Sequence, residues 1–131
     1  MVKPITSEEL YSRITGGVPN FVVVDLRRED FHEGHIKGAW NVPVTGQVTE
    51  GDLKCLLEKL DKYKQLHNLD SMDVIFHCSS SKNRGPRVAE RFAEDIRSKK
   101  LDEVYQSGVL VNGFTGWSLL CEQCGCPDMI E

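Results

Sequence analysis

Two short runs constrain this chain more than any other feature. FVVVDL at 21–26 and DVIFH at 73–77 are rich in β-branched and aromatic residues, and the first shows no alternation of apolar with polar positions. A strand with one wet face alternates at a period of two. A strand apolar on both faces is covered on both, which is the condition of a parallel sheet. Segments with helical periodicity lie between and after these strands. TEGDLKCLLEKLDKYKQL at 49–66 places Leu53, Leu56, Leu57, Leu60 and then Leu66 at near-helical spacing, with charges opposite. RGPRVAERFAEDIRSKK at 84–100 repeats the pattern with Val88, Phe92 and Ile96.

The remaining segments complete the alternation. PITSEEL at 4–10 offers Thr6 as an N-cap with Glu9 three residues on, a capping box that opens a helix almost at the start of the chain. GGVPN at 16–20 is a turn cluster. AWNVPV at 39–44 is a strand stopped by Pro43, and VYQSGVLVNGF at 104–114 is a strand that runs into a glycine turn. TGWSLLCEQCG at 115–125 is a last helix, with Gly125 suited to the C′ position. No repeat or linker interrupts the order, and 131 residues suffice for one core. The expectation is an α/β/α layered single domain over 1–131 with a mostly parallel central sheet and helices on both faces.

Charge and composition narrow the function. The net charge is −4, so no basic footprint argues for nucleic acid, and an anion must be caught by a local site. No apolar run is long enough to span a bilayer, and no N-terminal h-region precedes the first helix signal; a cytoplasmic protein is the expectation. The five cysteines are an odd number and are clustered, which fits reduced thiols better than a disulfide framework.

The candidate site is HCSSSKNRGP at 77–86. A buried strand ends at His77, five small or polar residues separate Cys78 from Arg84, and Gly85-Pro86 opens a helix. Ligands bind at the carboxyl ends of strands in open α/β sheets, and a helix N-terminus offers free N–H groups and a positive dipole end. A loop of Ser79, Ser80, Ser81, Lys82 and Asn83 can curl its amides inward into an oxyanion nest. Those amides stabilise a Cys78 thiolate, and Arg84 can close the ring with a bidentate fork. A Cys-x5-Arg spacing alone is weak. At a strand-to-helix junction it is strong, and the loop is poor material for a core.

These residues resemble a family. HCSSSKNRGP is similar to the phosphate-binding loop of the rhodanese-fold branch that holds the dual-specificity cell-cycle phosphatases and the eukaryotic arsenate reductases. VVVDLRREDFHEGHIKGAWNVP at 22–43 resembles a second signature of that fold, through Asp25, Arg27, Gly34, His35, Ile36, Gly38, Ala39 and Pro43. LVNGFTGW at 110–117 resembles a third, departing from it by Asn112 before Gly113. Within the branch the similarity is strongest to the fungal arsenate reductases, in DLRREDF and SKNRGP. The resemblance implies a rhodanese-like domain whose loop is sized for arsenate or phosphate rather than for sulfane sulfur. It implies Cys78 and Arg84 as catalytic residues, 79–84 as the oxyanion cradle, and glutathione with glutaredoxin as the thiol supply, with no bound cofactor. The cell-cycle phosphatases usually carry glutamates in this loop. Here no carboxylate stands between Cys78 and Arg84, and Lys82 adds positive charge. A phosphate ester profits from an acid on its leaving group, whereas free arsenate sheds only water or hydroxide. Reduction of arsenate, with phosphate as competitor, is therefore the leading expectation. A phosphatase working through a phosphocysteine and a non-catalytic rhodanese-like binding module are the alternatives.

Several other residues invite a sharper role and receive a plainer one. CEQCGC at 121–126 could be a redox pair, an internal resolving thiol or half of a zinc site, but zinc wants four ligands and no second pair exists. Cys121 is expected in the core, with Cys124 and Cys126 near a helix end, and Cys55 is expected to pack inside the leucine-rich helix. His77 can tune the thiolate or simply end its strand. His32 and His35 have metal-pair spacing, yet the family pattern makes His35 structural. Asp25 can orient the loop or pair with Arg27. Arg87 and Arg91 read as solvated, with Arg87 able to widen the positive field. Trp40 and Trp117 read as core.

Overall fold

The computed structural model describes residues 2–44, 46–80 and 82–131. Its elements in order are β1 (Val2–Ile5), α1 (Ser7–Gly16), β2 (Phe21–Asp25), α2 (Asp30–Glu33), β3 (Trp40–Asn41), α3 (Glu50–Leu66), β4 (Met72–His77), α4 (Arg84–Ser98), β5 (Tyr105–Leu110) and α5 (Gly113–Cys124), followed by a 3-10 turn at Pro127–Met129. The strands form one sheet in the order β1-β5-β4-β2-β3, and every pairing is parallel.

The non-alternating strands have the expected cause. Val22 and Val24 of β2 and Val74 and Phe76 of β4 face one layer, where Leu53, Leu56 and Leu60 of α3 meet Val88, Phe92 and Ile96 of α4. Val23 and Ile75 face the other layer, against Leu10 of α1 and Trp117 and Cys121 of α5. Successive strand side chains point to opposite faces, so a sheet buried twice must be apolar at every position. Two cores result, and the chain is an α/β domain with helices on both faces.

Local rules and packing part company in several places. β1 replaces the expectation of an immediate helix start. VKPI carries Lys3 and Pro4 and shows little β character, but it is an edge strand that pairs with β5 alone, where proline is tolerated. Thr6 does cap α1, its side chain accepting from the Glu9 amide. The reciprocal half of the box is absent among the described bonds; the Thr6 hydroxyl lies 3.2 Å from Glu9 Oε1 instead. The full reciprocal box stands at Thr49 and Asp52, opening α3. The third strand contracts to Trp40–Asn41, although the Val42 and Val44 amides continue its bonds to Asp25 and Leu26.

Three burial expectations are corrected. Cys55 is exposed, because it lies off the face that carries Leu53, Leu56 and Leu60 inward. Leu66 is 81% exposed, since α3 ends there, past the sheet it covers. Trp40 is half-buried at the sheet edge, packed edge-on to Tyr63, whereas Trp117 is fully buried and its indole donates to the Met129 carbonyl. The last helix starts at Gly113 rather than Thr115, entered through Asn112 at φ 64°. Asparagine is among the few residues other than glycine that visit this left-handed region readily. Gly116 is required just beyond it, since a Cβ there would stand 2.8 Å from that of Asn112.

Candidate functional site

The site grows from the carboxyl ends of the two central strands. β2 and β4 are in register so that Asp25 stands beside His77, and the Leu26 amide donates to the His77 carbonyl. Both side chains are fully buried. Asp25 grips Arg27 in a fork, with Nη2 donating to Oδ2 at 2.7 Å and Nε to Oδ1 at 3.0 Å. Arg27 also donates to the Gly34 carbonyl at 2.7 Å, and its guanidinium lies 4.1 Å over the Phe114 ring. A buried ion pair is tolerable only when its remaining polar valences are satisfied, and this one is bonded on both sides. Asp25 is therefore a pairing residue that fixes Arg27, the more structural of its two expected roles.

His77 completes this floor. Its Nδ1 lies 3.0 Å from the Cys78 carbonyl, which can only accept, so Nδ1 carries the proton. Its Nε2 faces Asp25 Oδ2 at 3.7 Å and is the one buried side-chain nitrogen or oxygen without a hydrogen-bond partner among the described residues. Burial pushes the His77 pKa below its ordinary value, the Asp25 charge and the bond to Cys78 opposing and the Arg27 charge assisting. The ring is thus held neutral.

Cys78 follows His77 directly and is buried. The start of its loop is fastened from an unexpected quarter. The Phe114 amide donates to the Cys78 carbonyl at 3.1 Å and the Thr115 amide to the Ser79 carbonyl at 2.9 Å. The first turn of α5 spends its free N–H groups on the loop, as a helix N-terminus must spend them somewhere. Neither residue was singled out from the sequence. LVNGFTGW carried a fold signature, but only the sheet order brings its turn against Cys78.

At the far end of the loop, Arg84 is the first residue of α4 and is half-buried, while Lys82 and Asn83 are exposed and Ser79 and Ser80 half-exposed. Ser81 lies outside the described residues. The first turn of α4 contains no acidic residue, and Asn83 makes no side-chain cap bond among the described residues. α1 and α3 begin with side-chain caps and carboxylates. The amide end of α4 thus differs in kind from those of its neighbours.

The residues given plainer roles fall as follows. Phe31 stacks on His35 at 3.9 Å, and His35 Nδ1 lies 3.1 Å from the Phe31 carbonyl. Cys121 is buried, Cys124 exposed, and Cys126 half-buried with its Sγ 3.0 Å from the Tyr11 hydroxyl. Arg87 is exposed, and Arg91 reaches Glu50 only at 3.9 Å.

With this geometry in view, the relatives can be compared. The rhodanese-like domain model matches residues 6–120. Arsenical-resistance protein 2 of Saccharomyces cerevisiae is 42% identical over 123 residues, covering 94% of this chain and 93% of its own. A solved structure described as a yeast protein tyrosine phosphatase of the rhodanese family superposes with a TM-score of 0.69 at 28% identity, covering 98% of this chain and 90% of that one. The As-Sb reductase of Leishmania major superposes with a TM-score of 0.79 at 24% identity, covering 99% of this chain and 85% of that one, a likeness of fold. Strand order, the two-sided core and the matched span agree: the chain belongs to the rhodanese-like domain family.

Proposed function

We propose that the protein is an arsenate reductase that uses Cys78 as nucleophile and takes its electrons from glutathione, with glutaredoxin as the thiol-exchange partner. One observation carries the proposal: Cys78 and Arg84 flank the β4–α4 junction with no carboxylate between them, in a chain 42% identical to a yeast arsenical-resistance protein.

The chemistry follows from the residues. Arsenate sits against the loop amides of 79–83 and the amide end of α4, with the Arg84 fork on two of its oxygens. The Cys78 thiolate attacks arsenic; the sulfur–arsenic bond forms as an arsenic–hydroxyl bond breaks, and the departing hydroxide takes a proton from solvent to become water. A glutathione thiolate then attacks the Cys78 sulfur. The sulfur–sulfur bond forms as the sulfur–arsenic bond breaks, and its electron pair stays on arsenic, which departs as arsenite. A second thiol clears the mixed disulfide and restores Cys78. Two thiols become one disulfide, and arsenic(V) gains two electrons. His77, neutral and bonded to the Cys78 carbonyl, and Phe114 and Thr115, bonded to the loop carbonyls, hold the nucleophile's backbone still. No step needs a metal or a bound cofactor.

The second reading is a phosphatase with the same nucleophile. It is favoured by the likeness to the yeast tyrosine phosphatase and disfavoured by the absence of a carboxylic acid in the loop to protonate a leaving group. One preparation assayed with both substrates decides. The expected result is arsenite formation with glutathione and glutaredoxin, inhibited by phosphate, and feeble hydrolysis of an aryl phosphate. Robust hydrolysis with no arsenite formed would reject the reductase.

A further inference from the structure

The start of the Cys78 loop has its carbonyls engaged and its amides free. Two donors converge on the Cys78 carbonyl, the His77 Nδ1–H at 3.0 Å and the Phe114 amide at 3.1 Å. A carbonyl oxygen has two lone pairs, so this one is fully used. The Ser79 carbonyl accepts from the Thr115 amide at 2.9 Å. A trans peptide is planar, and its N–H points opposite to its C=O. Pinning these two carbonyls therefore turns the next amides, those of Ser79 and Ser80, away from α5. Among the described residues neither amide donates to a backbone carbonyl. Successive free amides turned to one side are what an oxyanion needs.

The direction of those amides thus depends on where the first turn of α5 sits. Gly113 and Gly116 carry no side chain there, and Asn112 and Thr115 are exposed, which leaves Phe114 as the side-chain anchor of the turn. Its ring lies over the Arg27 guanidinium, with the guanidinium carbon 4.1 Å from the ring centroid. Arg27 is buried, forked onto Asp25 and bonded to the Gly34 carbonyl. A guanidinium whose edge donors are engaged and whose flat face is open makes a rigid seat for an aromatic ring.

We propose that Phe114 is a positioning residue of the oxyanion cradle. Its ring, seated on Arg27, places the α5 amides that aim the Ser79 and Ser80 N–H groups at the anion. The inference rests on the proposed reading of the loop as an oxyanion site and adds what shapes it. The route runs from Asp25 to Arg27, to the Phe114 ring, and through the Phe114 amide to the Cys78 carbonyl. A side chain that merely filled space there would be replaced by leucine without loss; one that works through the guanidinium needs a ring face.

The test uses inorganic phosphate as the probe and needs no turnover. Phosphate is titrated into the protein while the Ser79 and Ser80 amide resonances are followed, and both are expected to shift as it binds. Phe114→Leu keeps an apolar side chain without a ring face, and its phosphate Kd is expected to rise about tenfold. Phe114→Tyr keeps the ring and is expected to stay within about twofold of wild type. Thr115→Pro removes the donor to the Ser79 carbonyl in a first helical turn, where proline is tolerated, and is expected to weaken phosphate by a similar factor. In an Arg27→Lys background the flat guanidinium is gone, and Phe114→Leu is expected to add less than about twofold. Chemical denaturation checks that each variant is folded. A folded Phe114→Leu that binds phosphate like wild type overturns the inference, as does a Tyr variant as weak as the Leu one. An undiminished loss in the Arg27→Lys background overturns it too, since the ring then acts without the guanidinium. Ser79 and Ser80 amides that ignore phosphate in the wild type remove the cradle and the inference together. A protein that binds phosphate in this way but forms no arsenite loses the reductase and keeps the inference.

Discussion

Apart from Cys55 within α3, the cysteines of this chain lie at opposite poles of their helices. Cys78 precedes the N-terminus of α4, whereas Cys121, Cys124 and Cys126 gather at the C-terminus of α5. Helix N-termini favour negative charge and C-termini oppose it. The surroundings amplify the contrast. Cys78 and Cys121 are both 4% exposed, but Cys78 is followed by a loop of small polar residues and Arg84, whereas burial first and then the neighbouring cysteines and Asp128 push the Cys121 thiol above the ordinary value. Cys126 lies against Tyr11, whose hydroxyl is pushed up to about 12, chiefly by their hydrogen bond. Residue type alone does not make a nucleophile; Cys78 and Cys121 are buried alike, and what differs is the end of the helix and the neighbours at each.

Removing the first sulfur breaks the contrast outright. Cys78→Ser is expected to lower turnover by on the order of a thousandfold or more, since serine does not ionise near neutral pH. A correctly folded Ser variant with near-wild-type activity would remove Cys78 from the mechanism. The floor beneath it comes next. Arg27→Ala leaves the buried Asp25 carboxylate without its guanidinium, holding only the residue-27 backbone amide at 2.9 Å and facing His77, which costs about 3–5 kcal/mol. Chemical denaturation reads this, and a loss under about 1 kcal/mol would mean that water takes over from the guanidinium. Arg84→Lys is expected to cost about tenfold in kcat/KM, because an ammonium cannot reproduce the planar fork. Unchanged kinetics would show that Arg84 acts only as a point charge.

Smaller effects sharpen the comparison. The His77 pKa is lowered by burial from 6.5, so the unfolded chain takes up a proton before the folded one does. Stability that is whole above about pH 6.5 therefore declines as the pH falls below it. His77→Asn keeps a donor for the Cys78 carbonyl but cannot titrate, and its stability profile is expected to be flatter over that acid range. Parallel profiles for the two proteins would show that His77 does not contribute to the acid loss. Smallest of all, Cys124→Ser/Cys126→Ser is expected to leave glutathione-dependent turnover within about twofold. A double variant that stalls after one turnover would make the tail a resolving pair and erase the difference between the two regions.

Some of these features were open to inspection in the amino-acid order, and others were not, for a definite reason. The apolar run at 21–26, the leucine spacing of α3 and the Cys-x5-Arg loop between strand and helix act within a few residues of one another. Periodicity, capping and spacing express them directly, and they sufficed to foretell a parallel sheet covered on both faces and a loop at its carboxyl edge. Where neighbours compete, as at Lys3 and Pro4 of β1 or Cys55 on the outer face of α3, local propensity lost to edge pairing and to which face the sheet covers. The rest of the site depends on strand order alone. Placing β2 between β3 and β4 sets Asp25 beside His77, and it turns Arg27 from a surface-type residue into a buried clamp under Phe114. The first turn of α5 meets the Cys78 loop through backbone amides, which any residue but proline supplies equally, so no side-chain pattern records the contact. A cleft beside α4 is lined by the charged stripe Arg87, Glu90, Arg91 and Glu94 and by Gln47 and Val48. The sequence shows that stripe as an ordinary solvated face; the packing of a distant loop against it makes it a cleft.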